Sequence, residues 1–289
     1  MKEKQLNYFR QLKLPLFRKK KKKVSEKTLI EQERKFVLTE NKSFYSREAY
    51  NTLRTNILFS LADVEGCKVI LITSAMQGEG KSITAVNLAI SLAETSGRVL
   101  VVDCDMRRPK VGRLLQMKAD AGLSNMLIDM SLADKNILRF RESVDVILAG
   151  SIPPNPSELL GSQRMFEVLG MLKEKFDYIF LDLPPVLSVS DPLVITKNLD
   201  GIIVVTRHNT TRRSDVNETV RQLKFTHVHI LGFVYNSYGN TGRGYYYRNK
   251  YYRKGGYYKN YYKGYYKRHY YSSYKTHHSD SSSANAEQK

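Results

Sequence analysis

The sequence predicts an α/β fold in which a mostly parallel central sheet is flanked by helices. Short apolar runs recur along the chain, and most are continuous rather than alternating, which is typical of strands covered on both faces. Helical segments separate these runs, and such alternation of strand and helix favours a parallel sheet. The predicted strands are Val69–Ile72, Val99–Val102, Val144–Leu148, Tyr178–Leu181, Ile202–Val205 and Ile230–Val234. The helices predicted between them include Ser82–Glu94, Gln163–Lys175 and Ser214–Phe225.

A further helix is predicted before the sheet, from about Ser43 to Leu61. Tyr50, Leu53, Ile57 and Leu61 recur at steps of three and four residues. This spacing places them on one face of a helix, where they form an apolar stripe that can pack on the sheet.

Charge divides the 289-residue chain into three parts. Its formal net charge is +19, of which residues 1–40 carry +8 and residues 239–289 carry +9, while residues 41–238 carry only +2. We therefore predict a basic, largely disordered arm over 1–40, a folded domain over 41–238 and a disordered tail over 239–289. A nearly neutral domain argues against a protein whose whole surface binds nucleic acid.

Other classes of protein are excluded by simpler features. Cys67 and Cys104 are the only cysteines, too few for a disulfide framework or for a cysteine-rich zinc or iron–sulfur site within one chain, and both are predicted to be buried thiols. No apolar run approaches the ~18 residues of a membrane-spanning helix. The sequence also predicts no secretory signal, so we expect a cytoplasmic protein.

A phosphate-binding loop follows the first predicted strand. Residues 75–82 read Ala-Met-Gln-Gly-Glu-Gly-Lys-Ser and open a helix. Glycines let backbone N–H groups curl around phosphate oxygens, the lysine reaches the β- and γ-phosphates, and the serine hydroxyl can ligate Mg²⁺. The nucleotide is predicted to contact Gln77, Gly78, Glu79, Gly80, Lys81, Ser82 and Ile83.

Carboxylates end two later strands. Asp103 and Asp105 follow the run that begins at Val99, and Asp182 ends the run that begins at Tyr178, just before Pro184 and Pro185. In an open α/β sheet the carboxyl ends of the strands face the ligand crevice. Buried carboxylates are costly unless a cation offsets them, and a metal–phosphate site supplies one.

In combination these motifs resemble the bacterial tyrosine kinases, and most closely the cytoplasmic capsule and exopolysaccharide kinases of Gram-positive bacteria. The resemblance covers residues ~43–274. It makes residues 75–82 the Walker A motif, residues 99–107 the Walker A′ motif with its Asp-x-Asp-x-Arg ending, and residues 179–185 the Walker B motif. The implied fold is therefore a P-loop NTPase of the Walker A/A′/B type.

The resemblance implies an ATP- and Mg²⁺-dependent kinase that phosphorylates its own tail in trans. Lys81 and the loop amides would hold the phosphates, and Ser82, Asp103 and Asp182 would form the metal shell. Either Asp103 or Asp105 would accept the tyrosine proton. For Arg107, two readings stay open: it steadies the transferring phosphoryl group, or it pairs with a neighbouring carboxylate. We also expect Asn236, at the end of the last strand, to meet the adenine edge.

The tail holds 14 of the 20 tyrosines of the chain, interleaved with lysine, arginine and glycine. They are predicted phosphoacceptors: Tyr245, Tyr246, Tyr247, Tyr251, Tyr252, Tyr257, Tyr258, Tyr261, Tyr262, Tyr265, Tyr266, Tyr270, Tyr271 and Tyr274. An alternative is that this tail binds single-stranded nucleic acid, since aromatic rings can stack on bases while cations follow the phosphates. Repeated Tyr-Tyr pairs disfavour a third alternative, a tail that only improves solubility.

Partners are also implied by the resemblance: a membrane-embedded activator or polysaccharide co-polymerase, a cognate tyrosine phosphatase, and further copies of the chain in a ring. The same resemblance places the protein at the inner face of the cell membrane, in control of capsular or exopolysaccharide synthesis and export. The basic block from Arg18 to Lys23 fits proximity to an anionic leaflet, at about 1 kcal/mol per basic residue.

This sequence departs from the family pattern at three positions. Gln77 replaces a frequent proline in the P-loop, and Ile83 replaces a frequent serine or threonine. In the helix motif Glu-x-x-Arg-x-x-Arg, the residues Glu48 and Arg54 match but Asn51 takes the middle position. A salt bridge between subunits would therefore be missing from a ring.

One competing class shares this fold, the positioning and partitioning ATPases. These carry an additional lysine early in the P-loop, and Met76 occupies that position here. Motifs of eukaryotic-type kinases (His-Arg-Asp and Asp-Phe-Gly) are absent from the sequence.

Overall fold

The structure is a computed structural model that describes residues 31, 33–39, 43–95, 97–132, 134–196 and 199–236. The predicted disorder of residues 1–30, the basic block from Arg18 to Lys23 and all 14 predicted acceptor tyrosines lie outside these residues. No helix in the described part of the chain is both long enough and apolar enough to cross a membrane.

Strands of the described domain form one sheet in the order β3-β4-β2-β5-β1-β6-β7. The strands are β1 (Lys68–Ser74), β2 (Val99–Asp103), β3 (Leu138–Arg141), β4 (Val144–Ile147), β5 (Tyr178–Asp182), β6 (Gly201–Arg207) and β7 (Ile230–Asn236). Every neighbouring pair is parallel except β3 with β4. The mostly parallel sheet is therefore confirmed.

Helices lie between the strands, as the alternation predicted. They are α1 (Phe44–Ser60), α2 (Lys81–Ala93), α3 (Val111–Leu115), α4 (Leu123–Ile128), α5 (Pro156–Leu160), α6 (Gln163–Lys173), α7 (Asp191–Val194) and α8 (Arg213–Lys224). Short 3₁₀ turns cover Met130–Leu132 and Asp134–Asn136. Helix α1 begins after Ser43, whose side chain accepts a hydrogen bond from the Ser46 N–H, and so satisfies one unpaired amide of its first turn.

Hydrophobic clusters cover both faces of the sheet. Along β1, Val69 and Leu71 belong to the cluster that includes α4 and α6 residues, whereas Ile70 and Ile72 belong to the cluster that includes α1 and α2 residues. Successive side chains of a strand point to opposite faces, so a strand covered on both faces is continuously apolar. This is why the predicted runs did not alternate.

The strand order sets the location of the site. Strand β1 lies beside β5, and β5 lies beside β2. In the parallel register Asp182 is level with Ile72 on one side and with Asp103 on the other. The loop that follows β1 and the carboxylates that end β5 and β2 therefore meet at one edge of the sheet.

The packed domain extends further toward the N-terminus than the predicted boundary at residue 41. Val37 and Leu38 are buried. Asn87 of α2 holds this segment: its Oδ1 accepts a hydrogen bond of 2.7 Å from the Leu38 N–H, and its Nδ2 donates one of 2.8 Å to the Phe36 carbonyl. Charge counting could not detect a contact made by two apolar side chains and one amide.

Both cysteines are free thiols. Cys104, just after β2, is buried as predicted. Cys67, just before the interior strand β1, is only partly buried, contrary to the prediction, and partial burial raises the pKa of its thiol to about 11.

Candidate nucleotide and phosphoryl-transfer site

Glycine geometry shapes the P-loop between β1 and α2. Gly78 has φ of 82° and Gly80 has φ of 99°, backbone conformations that side chains rarely adopt. At Gly80 space is also restricted, because a Cβ atom would lie 2.1 Å from Nδ2 of Asn236. Helix α2 begins immediately after Gly80, so its positive N-terminal end faces the loop.

Side chains at the ends of β6 and β7 hold the loop carbonyls. Arg207 donates a hydrogen bond of 2.9 Å to the Gly78 carbonyl, and Asn236 donates one of 3.0 Å to the Glu79 carbonyl. The Asn236 amide is thus engaged with the loop backbone, while the expected contact with adenine stays a prediction.

Glu79 supports the loop from inside. Its carboxylate is fully buried and accepts hydrogen bonds from the Met76 N–H, at 3.1 Å, and from the Thr211 hydroxyl. The loop sequence predicts Glu79 as a nucleotide contact, but it does not predict the supporting roles of Arg207 and Thr211. No local signal marks these two residues, because the loop that they support lies more than 120 residues earlier in the chain.

Lys81 lies between the carboxylates. Its Nζ donates a hydrogen bond of 2.8 Å to Asp105 Oδ2 and lies 3.8 Å from Asp182 Oδ1. Burial alone would lower the pKa of the ammonium, but the charges of Asp182 and Asp105 outweigh burial and raise it. Lys81 is therefore held in its charged form beside the phosphate-binding loop.

Asp103 is bonded to backbone amides. Its Oδ2 accepts hydrogen bonds from the N–H groups of Lys110 and Val111, at 3.1 and 3.0 Å, and its Oδ1 accepts one of 3.2 Å from the Asp105 N–H. Burial, together with the nearby charge of Asp182, raises the pKa of Asp103 to about 8. These contacts make Asp103 the centre of the turn that leads from β2 to α3.

Asp182 is fully buried, and neither carboxylate oxygen has a hydrogen-bond partner at normal distance among the described residues. Burial raises the pKa of Asp182, while the Lys81 charge and the nearby Ser82 hydroxyl oppose that rise. An unsatisfied carboxylate beside a hydroxyl is a donor set that suits a hard divalent cation. The described residues contain no group of three His, Cys, Asp or Glu arranged to hold a metal. Mg²⁺ is commonly held by one or two protein oxygens together with water and phosphates, so the Asp182 carboxylate and the Ser82 hydroxyl suit it.

Arg107 pairs with Asp191, a carboxylate that no sequence motif marks. Its Nε and Nη2 donate hydrogen bonds of 2.9 and 3.0 Å to the two oxygens of Asp191, at the start of α7. The same Nη2 lies 3.0 Å from the Ser157 hydroxyl oxygen. Of the two readings of Arg107, carboxylate pairing is present in the structure.

A cleft of about 290 Å³ lies beside the P-loop. One wall is the P-loop, and another consists of Pro184, Pro185, Ser188 and Val189, which follow β5. Asp105 and Arg107 also line it, whereas Asp103, Asp182 and Asn236 do not. At the mouth, Arg108 donates a hydrogen bond of 2.7 Å to the Gln77 side chain.

The helix motif of α1 is engaged within its own chain. Arg54 is buried and donates a hydrogen bond of 2.5 Å to the Ser91 carbonyl of α2. Asn51 accepts one of 3.2 Å from the Ser91 hydroxyl and donates one of 3.0 Å to Glu48. The asparagine that replaces a family arginine therefore stabilises the contact between α1 and α2.

The chain is similar to a family of P-loop NTPases and to named tyrosine-protein kinases. Residues 66–264 match the family described as "ParA: NUBPL iron-transfer P-loop NTPase". Tyrosine-protein kinase YwqD of Bacillus subtilis is 36% identical over 200 residues, which cover 69% of this chain and 84% of the relative. Putative tyrosine-protein kinase CapB of Staphylococcus aureus is 33% identical over 190 residues, covering 65% of this chain and 83% of the relative.

Solved structures, including that of a tyrosine kinase domain, are also similar to this chain. The kinase domain of Escherichia coli tyrosine kinase ETK superposes with a TM-score of 0.66 at 31% identity, covering 70% of this chain and 79% of that domain. The chimerical protein CapA2B2 gives 0.65 at 31% identity, covering 70% of this chain and 89% of the chimera. The cell division ATPase MinD of Pyrococcus furiosus gives 0.51 at 26% identity, covering 61% and 74%.

Proposed function

The chain belongs to the bacterial tyrosine-protein kinases, within the ParA-type P-loop NTPases, and on that premise we propose that it transfers the γ-phosphoryl group of ATP to tyrosines of its own C-terminal tail. The observation that carries the proposal is the grouping of Lys81, Asp105 and the unsatisfied Asp182 at the P-loop. A cation and phosphates are partners that this charged group would bind.

The P-loop is built for an ATP phosphate chain. Its amides and the N-terminal end of α2 bind phosphate oxygens, and the Lys81 ammonium can move from Asp105 to the β- and γ-phosphates. Ser82 and Asp182 would hold Mg²⁺, with Asp103 in its outer shell. When bound, the cation would neutralise charge on the β- and γ-phosphate oxygens.

Transfer itself needs an acceptor oxygen and a base. The tyrosine oxygen attacks the γ-phosphorus, the bond from that phosphorus to the β–γ bridging oxygen breaks, and the tyrosine proton passes to a carboxylate. The geometry favours Asp105 over Asp103 as that carboxylate. Asp105 lines the cleft, and its Oδ2 becomes available once Lys81 turns to the phosphates. Asp103 does not line the cleft, and both its oxygens accept backbone hydrogen bonds.

The tail is the proposed acceptor because of its composition. It carries fourteen tyrosines and a net charge of +9. A cationic segment is attracted to a cleft that contains carboxylates and bound ATP. The transfer is proposed to occur in trans, from ATP bound to one copy to the tail of another copy.

Partners and location follow from the same family membership. We propose activation by a membrane-embedded partner, reversal by a tyrosine phosphatase, and a role in capsular or exopolysaccharide synthesis and export at the inner face of the membrane. The basic block from Arg18 to Lys23 supports contact with an anionic leaflet. A ring of subunits would have to form with Arg54 and Asn51 already engaged inside their own chain.

A second candidate is a positioning ATPase, which the likeness to MinD supports at the level of the fold. Met76 stands where such enzymes carry a lysine, and it is partly exposed in the P-loop. A methionine cannot provide the missing charge. This candidate requires ATP hydrolysis without any phosphotyrosine.

Mass spectrometry of the full-length protein after incubation with Mg-ATP tests the proposal. Phosphate should appear on tyrosines between 245 and 274, and the Lys81→Met protein, treated identically, should carry none. Hydrolysis of ATP with no phosphotyrosine in the wild type would reject the kinase and favour the positioning ATPase. Tail binding to single-stranded oligonucleotides that is independent of ATP would instead favour the nucleic-acid alternative.

A further inference from the structure

The pair formed by Arg107 and Asp191 is unequally buried. Asp191 is fully buried, while 40% of the Arg107 side chain is exposed. Ser157 completes the pair, because its hydroxyl donates a hydrogen bond of 2.5 Å to Asp191 Oδ1 and accepts one from Arg107 Nη2. The three residues connect the loop after β2, helix α5 and helix α7.

Hydrogen bonding determines which part of the guanidinium is left for a ligand. The single Nε–H and the two Nη2–H groups are directed to Asp191 and Ser157. Within the described part of the chain, the two N–H groups of Nη1 have no protein acceptor. Since Arg107 lines the same cleft as Lys81 and Ser82, Nη1 is the part of Arg107 that can meet a ligand there.

A bidentate carboxylate also fixes the plane of a guanidinium. Two parallel hydrogen bonds define its orientation in a way that a single contact does not. Burying a carboxylate is unfavourable unless its partner remains in place, so the interior of the domain itself resists any movement of Arg107 away from Asp191. An orientation enforced in this way suits a group that must be positioned before the reaction begins.

We propose that Asp191 and Ser157 are positioning residues that hold the Arg107 guanidinium in the cleft wall, with Nη1 facing the phosphoryl group during its transfer. This inference deepens the proposed function and rests on it for the identity of the nucleotide. It does not depend on tyrosine as the acceptor. The charge of the transferring group is spread over its three equatorial oxygens, which are acceptors that two N–H donors can reach.

Binding of Mg-ADP with and without aluminium fluoride, which imitates the transferring phosphoryl group, tests the inference on the full-length protein. Asp191→Asn should weaken the fluoroaluminate complex by about 10-fold or more, the scale of losing one aligned donor, and change Mg-ADP affinity by less than about 3-fold. Arg107→Ala should give the same pattern. The double variant should be no worse than Arg107→Ala alone, because Asp191 acts through Arg107.

Arg221→Ala is the matched control. Arg221 also forms a bidentate pair, with Glu218 at 2.7 and 2.8 Å, but on the exposed surface of α8. Its loss should leave both affinities unchanged. Melting temperatures of all variants report stability separately. If Asp191→Asn does not fold, Ser157→Ala decides the question: it should weaken the fluoroaluminate complex selectively, by a smaller factor.

Three results would overturn the inference. They are equal loss of affinity for Mg-ADP and for its fluoroaluminate complex, an Asp191→Asn effect that persists in the Arg107→Ala background, and a wild-type protein in which aluminium fluoride does not strengthen Mg-ADP binding. Failure of the proposed function is distinguishable from these. A wild type that forms the fluoroaluminate complex and loses it in Asp191→Asn, yet makes no phosphotyrosine, would retain the positioning residues and reject the tyrosine acceptor.

Discussion

Lys81 donates a hydrogen bond of 2.8 Å to Asp105, so the P-loop lysine is bound by the same carboxylate that we assign as the proton acceptor. In the protein without nucleotide, the Lys81 ammonium and the Asp105 carboxylate are each other's hydrogen-bond partners. In the proposed mechanism, movement of Lys81 to ATP would neutralise the phosphate chain and make Asp105 Oδ2 available. Nucleotide binding would therefore prepare the base.

Substitution of Lys81 by methionine should abolish tyrosine phosphorylation. Loss of a preorganised charge on the transferring phosphoryl group typically lowers the rate by about 10²–10³-fold. Phosphotyrosine formation at saturating Mg-ATP measures the effect, and circular dichroism checks that the fold persists. Near wild-type phosphorylation would show that the P-loop is not the catalytic site.

Substitutions of the three carboxylates of the site should have different effects on magnesium dependence and on stability. Asp105→Ala, Asp103→Ala and Asp182→Ala should each lower activity by about 10²-fold or more. Only Asp182→Ala should greatly raise the Mg²⁺ concentration required. Asp103→Ala should also destabilise the fold, by about 1–3 kcal/mol, because it leaves the N–H groups of Lys110 and Val111 without an acceptor. Magnesium titrations and urea unfolding measure these differences; equal and mild effects would contradict the assigned roles.

Gly80→Ala should abolish nucleotide binding. Its φ of 99° strains any side chain, and the new Cβ would collide with Asn236. Gly170→Ala on α6 is the matched control, since a Cβ there meets nothing within 4 Å and alanine favours a helix by roughly 0.5–1 kcal/mol. Fluorescence titration with a labelled ADP should show loss of binding only in the first variant. Retained affinity in Gly80→Ala would mean that the loop does not need this conformation.

Phosphorylation of the tail should weaken self-association. Each phosphate adds about −1.5 to −2 charges at pH 7, so five or six would cancel the tail charge of +9 and repel it from a carboxylate-lined cleft. Light scattering with and without Mg-ATP should show dissociation of the full-length protein. A variant that ends at Tyr238 should not respond. An unchanged size in both proteins, whether or not ATP is present, would contradict the switch.

Sequence patterns predicted the features that depend on neighbouring residues, namely the strands and the P-loop. Continuous apolar runs gave six strands, and glycine spacing located the P-loop. Strand β3 was not predicted, because its apolar–charged alternation, Leu-Arg-Phe-Arg, lasts for only four residues and is too short to stand out beside the continuous apolar runs. The roles of Asp191 and Arg207 were not predicted for another reason. Their hydrogen-bond partners, Arg107 and Gly78, lie 84 and 129 residues away along the chain. A polar residue shows no sign in the sequence of which distant group it will bond, because the topology of the sheet determines that.

Asn236 closes β7 and also donates to the P-loop, and the tyrosine tail follows it directly along the chain. Asn236 is therefore both the last described residue before the tail and a hydrogen-bond donor to the P-loop carbonyl that precedes Gly80. A tail drawn into another subunit would pull on the amide that keeps Gly80 and its loop in shape. Because coupling between two binding events is reciprocal, whatever captures the tail would also alter how long ADP stays bound. The rate of ADP release would then depend on whether the tyrosine tail is bound to another subunit.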